Sequence, residues 1–266
     1  MALIGSVLGD IAGSQYEFSG LRPADLDWQN CELFTDKCRF TDDSVMGIGT
    51  KMAILGDKDN PNFAKWYRNL GQMYPNVGYG GMFRQWIKDA SMGPYGSFGN
   101  GSAMRIAAAG ELYDSAERVI HFAKQSAQVT HNHPEGIKGA VVIAMCIFMA
   151  RQGKTKQDIY NYVYRFYNDE EKYKYPITMS LKDMRKVYRW DVTCQGSVPA
   201  AIRCVLEADS YEEFLRNVFS LPCDMDTLGA IGGGIAEELF GFGELQSTIL
   251  LDKYLDEYLF DCVVNK

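Results

Sequence analysis

The chain lacks most of what would tie a protein to a membrane, a secretory route or a nucleic acid. No apolar run reaches bilayer length: the longest, Gly139 to Ala150, is bracketed by Lys138 and Arg151 and reads as a buried helix. Met1 to Leu8 is apolar, but no basic segment precedes it and Asp10 follows too early for a signal peptide. Basic residues are outnumbered, with 27 Lys and Arg against 34 Asp and Glu. The net charge of −7 argues against nonspecific attraction to nucleic acid or to anionic membranes. The seven cysteines (31, 38, 146, 194, 204, 223 and 262) never fall as C-x-x-C and are odd in number, which suits reduced thiols in a cytoplasmic protein. Histidine is scarce at three, so His131-Asn132-His133 resembles a nuclease signature only by coincidence.

Strand-length alternation of β-branched residues is almost absent, as are repeats and low-complexity linkers. What remains is a helical series within one length of core-forming chain, residues 1–266. One compact all-α domain is the expectation. Ala2 to Ser14 reads as a helix with Gly5, Gly9 and Gly13 at spacing four, a costly use of glycine that calls for close approach of a backbone or a ligand. Asp10, Ser14 and Glu17 share one face if that helix reaches residue 17. Residues 20 to 40 read as a loop, Thr155 to Trp190 as peripheral helices and a loop, and Ile249 to Phe260 as a single helix.

Two acidic clusters stand out, Thr41-Asp42-Asp43-Ser44 and Asp224-Met225-Asp226-Thr227, each just ahead of a small apolar run. Carboxylates and hydroxyls bunched in this way are hard oxygen donors of the kind magnesium, manganese or calcium prefers. If the fold joins the clusters, four carboxylates repel one another unless cations lie between them, and two metal ions balance them. The plainer alternative is that these are N-cap residues and first-turn acids of two ordinary helices.

Other segments surround this pair. Gly96 to Gly101 precedes a helix and can cradle a pyrophosphate with backbone N–H groups, although such a stretch also serves as a plain turn. Tyr79, between Gly78 and Gly80, either lines a mouth or packs in a loop. His131 lies after a candidate helix, where a dipole also favours histidine.

In order and rough spacing, Gly9-Asp10-Ile11-Ala12-Gly13-Ser14-Gln15-Tyr16-Glu17, Thr41-Asp42-Asp43-Ser44, Gly78-Tyr79-Gly80, Gly99 to Arg105, Thr130-His131 and Asp224 to Thr227 resemble the ADP-ribosylglycohydrolases. Glu17, Gly96 to Gly101 and Ser197-Val198-Pro199-Ala200-Ala201-Ile202 place the likeness nearest the serine-ADP-ribose hydrolase branch. The resemblance implies an orthogonal helical bundle with a binuclear metal cleft holding two magnesium ions, or manganese in their place. It implies cleavage of the C1″ bond of ADP-ribose attached to protein side chains, serine-linked first and arginine-linked next. It assigns metal ligation to Thr41, Asp42, Asp43, Asp224, Asp226 and Thr227, with Asp226 bridging. Glu17, Asp43 and Asp226 become the catalytic carboxylates, and Asp10 a supporting residue.

The same resemblance gives Tyr79, Gly80, Gly96, Ser97, Phe98, Gly99, Asn100, Gly101, His131 and Val192 to the substrate, with Cys194 near the adenine pocket and His133 structural. Partners implied are ADP-ribose and an ADP-ribosylated protein, the chain itself acting as a monomer. One departure is clear. The family usually has Gly-Gly before the second acidic pair and Ser or Thr between its acids, where this chain has Pro222-Cys223 and Met225. That bears on hydrogen bonding around the ligands. Two other readings compete. A noncatalytic ADP-ribose-binding or crystallin-like relative would show eroded acids, and all four remain. An isoprenoid-synthase-like enzyme would need a further acid soon after Asp42-Asp43, where Met46-Gly47 stand.

Overall fold

A computed structural model describes residues 2–17 and 25–265, and its helices run in chain order. The first are α1 (Ala2–Ser14), α2 (Asp42–Gly56), α3 (Phe63–Met73), α4 (Gly81–Lys88) and α5 (Gly101–Met104). There follow α6 (Ala107–Leu112), α7 (Ala116–Gln128), α8 (Pro134–Arg151), α9 (Lys156–Tyr167) and α10 (Leu181–Val187). The last are α11 (Cys194–Leu206), α12 (Tyr211–Phe219), α13 (Met225–Phe240), α14 (Ser247–Tyr254) and α15 (Glu257–Val264). Among the described residues the extended structure is a single antiparallel bridge, Gly99 with Thr193. The fold is all-α.

Helix α1 is apolar on every side, so it can only be a central helix, and all thirteen of its residues are buried. Its glycines face the backbone of α13. A Cβ added at Gly5 would lie 2.3 Å from the Gly233 carbonyl oxygen, at Gly9 2.1 Å from that of Gly229, and at Gly13 2.3 Å from the Asp226 nitrogen. Ser6 Oγ donates to the Ala230 carbonyl at 2.9 Å across the same seam. The buried start of α1 leaves N–H groups without intrahelical partners. Two carboxylates take them: Glu111 accepts from Leu3 at 3.0 Å and Glu237 from Gly5 at 2.6 Å.

Around this pair the buried apolar residues form one contiguous cluster to which α8 contributes its whole middle. The tyrosine-rich stretch is less peripheral than its polarity predicts, since Tyr167, Tyr175 and Tyr188 are fully buried. The expected helix Ile249 to Phe260 is instead two: α14 ends at Tyr254, and Asp256 accepts from Leu259 N–H at 2.9 Å to start α15. Periodicity alone cannot see a cap that restarts a helix at a new angle. In the expected loop, 25–40 is irregular and 18–24 lies outside the described residues. All seven cysteines are free, and no described helix is long and apolar enough to cross a membrane.

Candidate active site

The glycine seam fixes the site. It brings Asp10 on α1 beside Asp226 at the start of α13, and α2 delivers Asp43 to the same place. One oxygen from each of Asp10, Asp43 and Asp226 lies within 4.8 Å of the others, and all three residues are buried.

Asp10 spends its acceptor capacity on the turn that begins α2. Its Oδ1 accepts from Thr41 Oγ1 at 2.7 Å, and its Oδ2 from the N–H groups of Thr41 at 2.9 Å and Ser44 at 3.1 Å. Ser44 Oγ donates to the same oxygen. Thr41 also caps α2 by accepting from Asp43 N–H at 3.3 Å. Asp43 is differently placed. Its Oδ2 accepts from Thr41 Oγ1 at 3.2 Å and Thr227 Oγ1 at 3.4 Å, while its Oδ1 is buried without a hydrogen-bond partner. A buried carboxylate oxygen left bare is costly, and a cation would satisfy it.

Charge points the same way. Burial first, and then the neighbouring carboxylates, holds Asp42, Asp43 and Asp226 well above the usual carboxylate range. Burial raises Asp224 and Asp10 as well, the latter against its bonds from Ser44 and Thr41. Among the described residues no Lys or Arg forms an ion pair with Asp10, Asp42, Asp43, Asp224 or Asp226. With hard oxygen donors throughout, the residues fit divalent magnesium or manganese.

The cluster forms the floor of a cavity of about 760 Å³. Glu17, Asp42, Asp43, Asp224, Asp226, Thr227, Gly80, Gly96 to Gly101, His131 and Val192 all line it, whereas Thr41 and Tyr79 do not. Tyr79 is packed: it is 1% exposed, its ring lies 5.5 Å from that of Phe83, and it belongs to the wall of a neighbouring cavity. Glu17 lies beyond the end of α1, in a turn where its N–H donates to the Ser14 carbonyl at 3.2 Å. Its side chain is 9% exposed, so it is not a solvent-facing helix-end residue, and Arg39 Nη2 reaches it at 2.8 Å. Burial raises its pKa although Arg39 opposes the rise.

Gly96, at φ +69°, turns the loop into the cavity wall. Three of the loop's amides are already engaged: Gly96 donates to Asn132 Oδ1 at 2.7 Å, Gly99 to Ser97 Oγ at 3.2 Å and Asn100 to the Val192 carbonyl at 2.8 Å. The last bond belongs to the bridge that stitches the loop to residues 192–194. Cys194 sits behind it, buried, with Sγ donating to the Gly99 carbonyl at 3.1 Å, so it supports the loop instead of facing the cavity. Asn100 Nδ2 donates to Ser197 Oγ at 3.1 Å and to Asp224 Oδ2 at 3.3 Å, which ties loop, α11 and acidic cluster together. His133 caps α8 by accepting from Glu135 N–H at 3.1 Å. Cys223 is interior, its thiol directed at the Val218 carbonyl.

Arg105 was quoted in a motif but given no role by the sequence. It is 1% exposed, lies 4.4 Å from the Tyr67 ring, and donates to Ser126 O at 2.9 Å and Thr130 Oγ1 at 3.0 Å. Thr130 Oγ1 is 2.7 Å from His131 Nδ1, and since it accepts from Arg105 its own proton is free for that nitrogen. Burial, and then Arg105, pushes the His131 pKa well below its ordinary value. The ring is therefore neutral, and a proton given by Thr130 to Nδ1 would leave the ring's own on Nε2. That nitrogen faces the loop, 3.1 Å from where a Cβ at Gly101 would be. Trp190, Val192 and Phe98, each largely exposed, form an apolar end to the cavity. Trp190 carried no signal in the sequence, being one aromatic in a polar stretch.

Known proteins resemble this chain along its length. The family described as ADP-ribosylglycohydrolase matches residues 1–257. ADP-ribosylhydrolase ARH3 of Bos taurus is 25% identical, over 92% of this chain and 86% of its own. The Homo sapiens protein of that name is 25% identical with the same coverage. The Danio rerio one is 29% identical over 57% of this chain and 47% of its own. A solved structure titled ADP-ribosylglycohydrolase-related protein complex superposes with a TM-score of 0.73 at 20% identity, covering 98% of this chain and 93% of that one.

Proposed function

We propose, for a chain that belongs to the ADP-ribosylglycohydrolase family of hydrolases acting on ADP-ribose glycosidic bonds, a magnesium-dependent enzyme that releases ADP-ribose from protein side chains, serine-linked before arginine-linked. The bare Asp43 Oδ1 carries the metal part of the reading: a buried carboxylate oxygen among four other acids, with no ion pair to Lys or Arg among the described residues. Thr41, Asp42, Asp43, Asp224, Asp226 and Thr227 would hold two ions, which would orient the 2″ and 3″ hydroxyls of the distal ribose and a water. The serine preference rests on Glu17, Gly96 to Gly101 and Ser197 to Ile202, the segments whose likeness is nearest the serine-ADP-ribose hydrolase branch.

The chain's own groups then have distinct tasks. Cleavage at C1″ passes through an oxocarbenium-like state, which the carboxylates of Asp43, Asp226 and Glu17 stabilise electrostatically. Glu17, with its raised pKa and its position on the cavity wall, is placed to exchange a proton at the scissile oxygen. Arg39 fixes its rotamer through the 2.8 Å contact. The diphosphate meets Ser97 Oγ, the His131 Nε2–H and those loop amides that are not already engaged. Adenine packs on the apolar end with Phe98 and Val192. A noncatalytic, binding-only relative would be expected to lose acids from this floor, and here all four metal carboxylates line one cavity.

The test incubates purified protein with serine-linked and arginine-linked ADP-ribosyl peptides, with magnesium or chelator, and follows free ADP-ribose by mass spectrometry. Magnesium-dependent release from the serine peptide, lost in Asp226→Asn, is expected. Release from neither peptide, with ADP-ribose still bound, would make the protein a binder. Absence of both release and binding would overturn the reading.

A further inference from the structure

A second cavity, of about 600 Å³, adjoins the first on the far side of Glu17. Glu17 and Gly78 line both. Gly78 has φ +115°, and a Cβ there would lie 2.8 Å from Asp42 Oδ1 and 3.5 Å from Glu17 Oε1, so the partition is as thin as a backbone allows. The Asp42 N–H donates to the Val77 carbonyl at 2.9 Å and holds this loop against the start of α2.

The two cavities have opposite character. The first is floored by carboxylates. The second carries Arg39, Arg84 and Lys88 against a single acid, Glu17, in a protein of net charge −7. Arg39 is occupied with Glu17. Arg84 and Lys88 are one turn apart on α4, both exposed, and among the described residues neither side chain has an ion pair or hydrogen bond. Between them and the partition lie Val77, Ile87 and Tyr79, and the buried Tyr79 phenol oxygen has no hydrogen-bond partner.

We infer that this second cavity is the subsite for the protein side of the substrate, and that it selects acidic residues flanking the modified side chain. The inference rests on the proposed function, since a bond cleaved beside Glu17 leaves its acceptor on this side of the partition. Unpaired cations in an acidic protein favour an anionic ligand by complementarity. The lining mixes those cations with an apolar floor and the amides of Gln72 and Asn76, which suits an extended peptide better than a phosphodiester track.

The experiment compares ADP-ribosylated serine peptides with Asp or Glu on both sides of the serine against peptides with Lys there. The wild type is set beside an Arg84→Glu, Lys88→Glu double variant. A small ADP-ribose glycoside without a peptide and an ADP-ribose polymer complete the substrate set. The acidic peptide is expected to show a KM roughly tenfold below the basic one, at similar kcat. The double variant abolishes or inverts that ratio and leaves the small glycoside and free ADP-ribose binding unchanged. An equal ratio in wild type and variant would overturn the inference. So would a variant effect confined to the polymer, which would assign the cavity to phosphates. Fluorescence anisotropy with the same peptides in chelator reads the charge preference without turnover. Preference there without cleavage would leave the subsite standing and sink the proposed activity instead; cleavage without preference would do the reverse.

Discussion

Gly9 offers the most direct test of how the fold builds the site. Replacing it by alanine adds one methyl group on the face where α1 meets α13. That methyl carbon would stand 2.1 Å from the Gly229 carbonyl oxygen and 2.4 Å from its carbonyl carbon, both backbone atoms of a buried helix. Neither can rotate away, so contact at an ordinary ~3.4 Å requires the two helices to part by about 1 Å, a gap that forfeits a quarter to a half of each pairwise attraction along the seam. Overpacking typically costs about 1–3 kcal/mol and occasionally more, and backbone atoms that cannot move aside put this case above that range, at roughly 3–5 kcal/mol. Alanine returns about 1 kcal/mol of helix propensity. The net loss of about 2–4 kcal/mol corresponds to a fall in Tm of roughly 5–15 °C for a chain of this length. Calorimetry would read it, with Gly56→Ala as control. At Gly56 the nearest foreign atom is Trp66 Nε1 at 3.7 Å, and the variant should be as stable as wild type or slightly more so. Because Asp10 follows Gly9 directly, the same displacement shifts Asp10, and through it Thr41 and Ser44, against Asp226. Magnesium affinity, read by titration calorimetry, should fall at least tenfold. A Gly9→Ala protein with wild-type Tm and wild-type magnesium affinity would refute the account of the seam.

Three further outcomes follow from the same geometry. Asp43→Asn removes one of several crowded charges while its oxygen still accepts from Thr41 and Thr227, so in chelator the variant should melt a few degrees above wild type, by about 1–2 kcal/mol, and lose the rise in Tm that magnesium gives wild type. Thermal scans with and without the metal check both halves. Glu17→Gln should lower kcat by about 10²–10⁴ while ADP-ribose binding by calorimetry changes little, as expected of a group that moves a proton and does not anchor the ligand. Glu237, pushed up from 4.5 to about 7 chiefly by burial, contributes stability that is complete below pH 4.5 and lost as pH rises through about 7. Glu237→Gln keeps an acceptor for Gly5 N–H and should flatten that decline, with a gain at pH 8 of at most roughly 3 kcal/mol in denaturant unfolding.

What could be read without the structure was local. Helix α1 showed its extent in its run of small and apolar residues, and its glycine spacing announced a close approach, which proves to be to the α13 backbone. The acids of 41–44 and 224–227 were legible because their residue types are unusual together. Asp10 was legible only as a supporting residue, because its role consists of four bonds to a turn thirty residues away. Arg105 was missed as a functional residue since its partners, Ser126 and Thr130, come from another helix and the turn beyond it. Tyr79, which the resemblance gave to the substrate, is packed outside the cavity, and an aromatic between glycines has no period that would show this. The second cavity was invisible for a similar reason: Arg39 comes from a segment far in sequence from Arg84 and Lys88 on α4, and each alone is an ordinary surface cation.

The acidic clusters left two readings open, helix caps or metal ligands, and in the structure the first does not exclude the second. Thr41 does cap α2, accepting from Asp43 N–H, and Asp42 and Asp43 do occupy its first turn, where the helix dipole favours negative charge. Asp224 stands at the corresponding place before α13 but makes no side-chain cap bond there; its Oδ2 instead accepts from Asn100. If capping and the dipole were the whole explanation, these carboxylates would sit at or below their ordinary pKa. All four are raised, with burial the first cause in each case. Two helix N-termini aimed at one point are therefore insufficient counter-charge for the acids they carry. The deficit lies where Asp43 Oδ1 has no partner, and it is this shortfall, rather than the presence of acids, that marks the floor of the cavity as a place for cations.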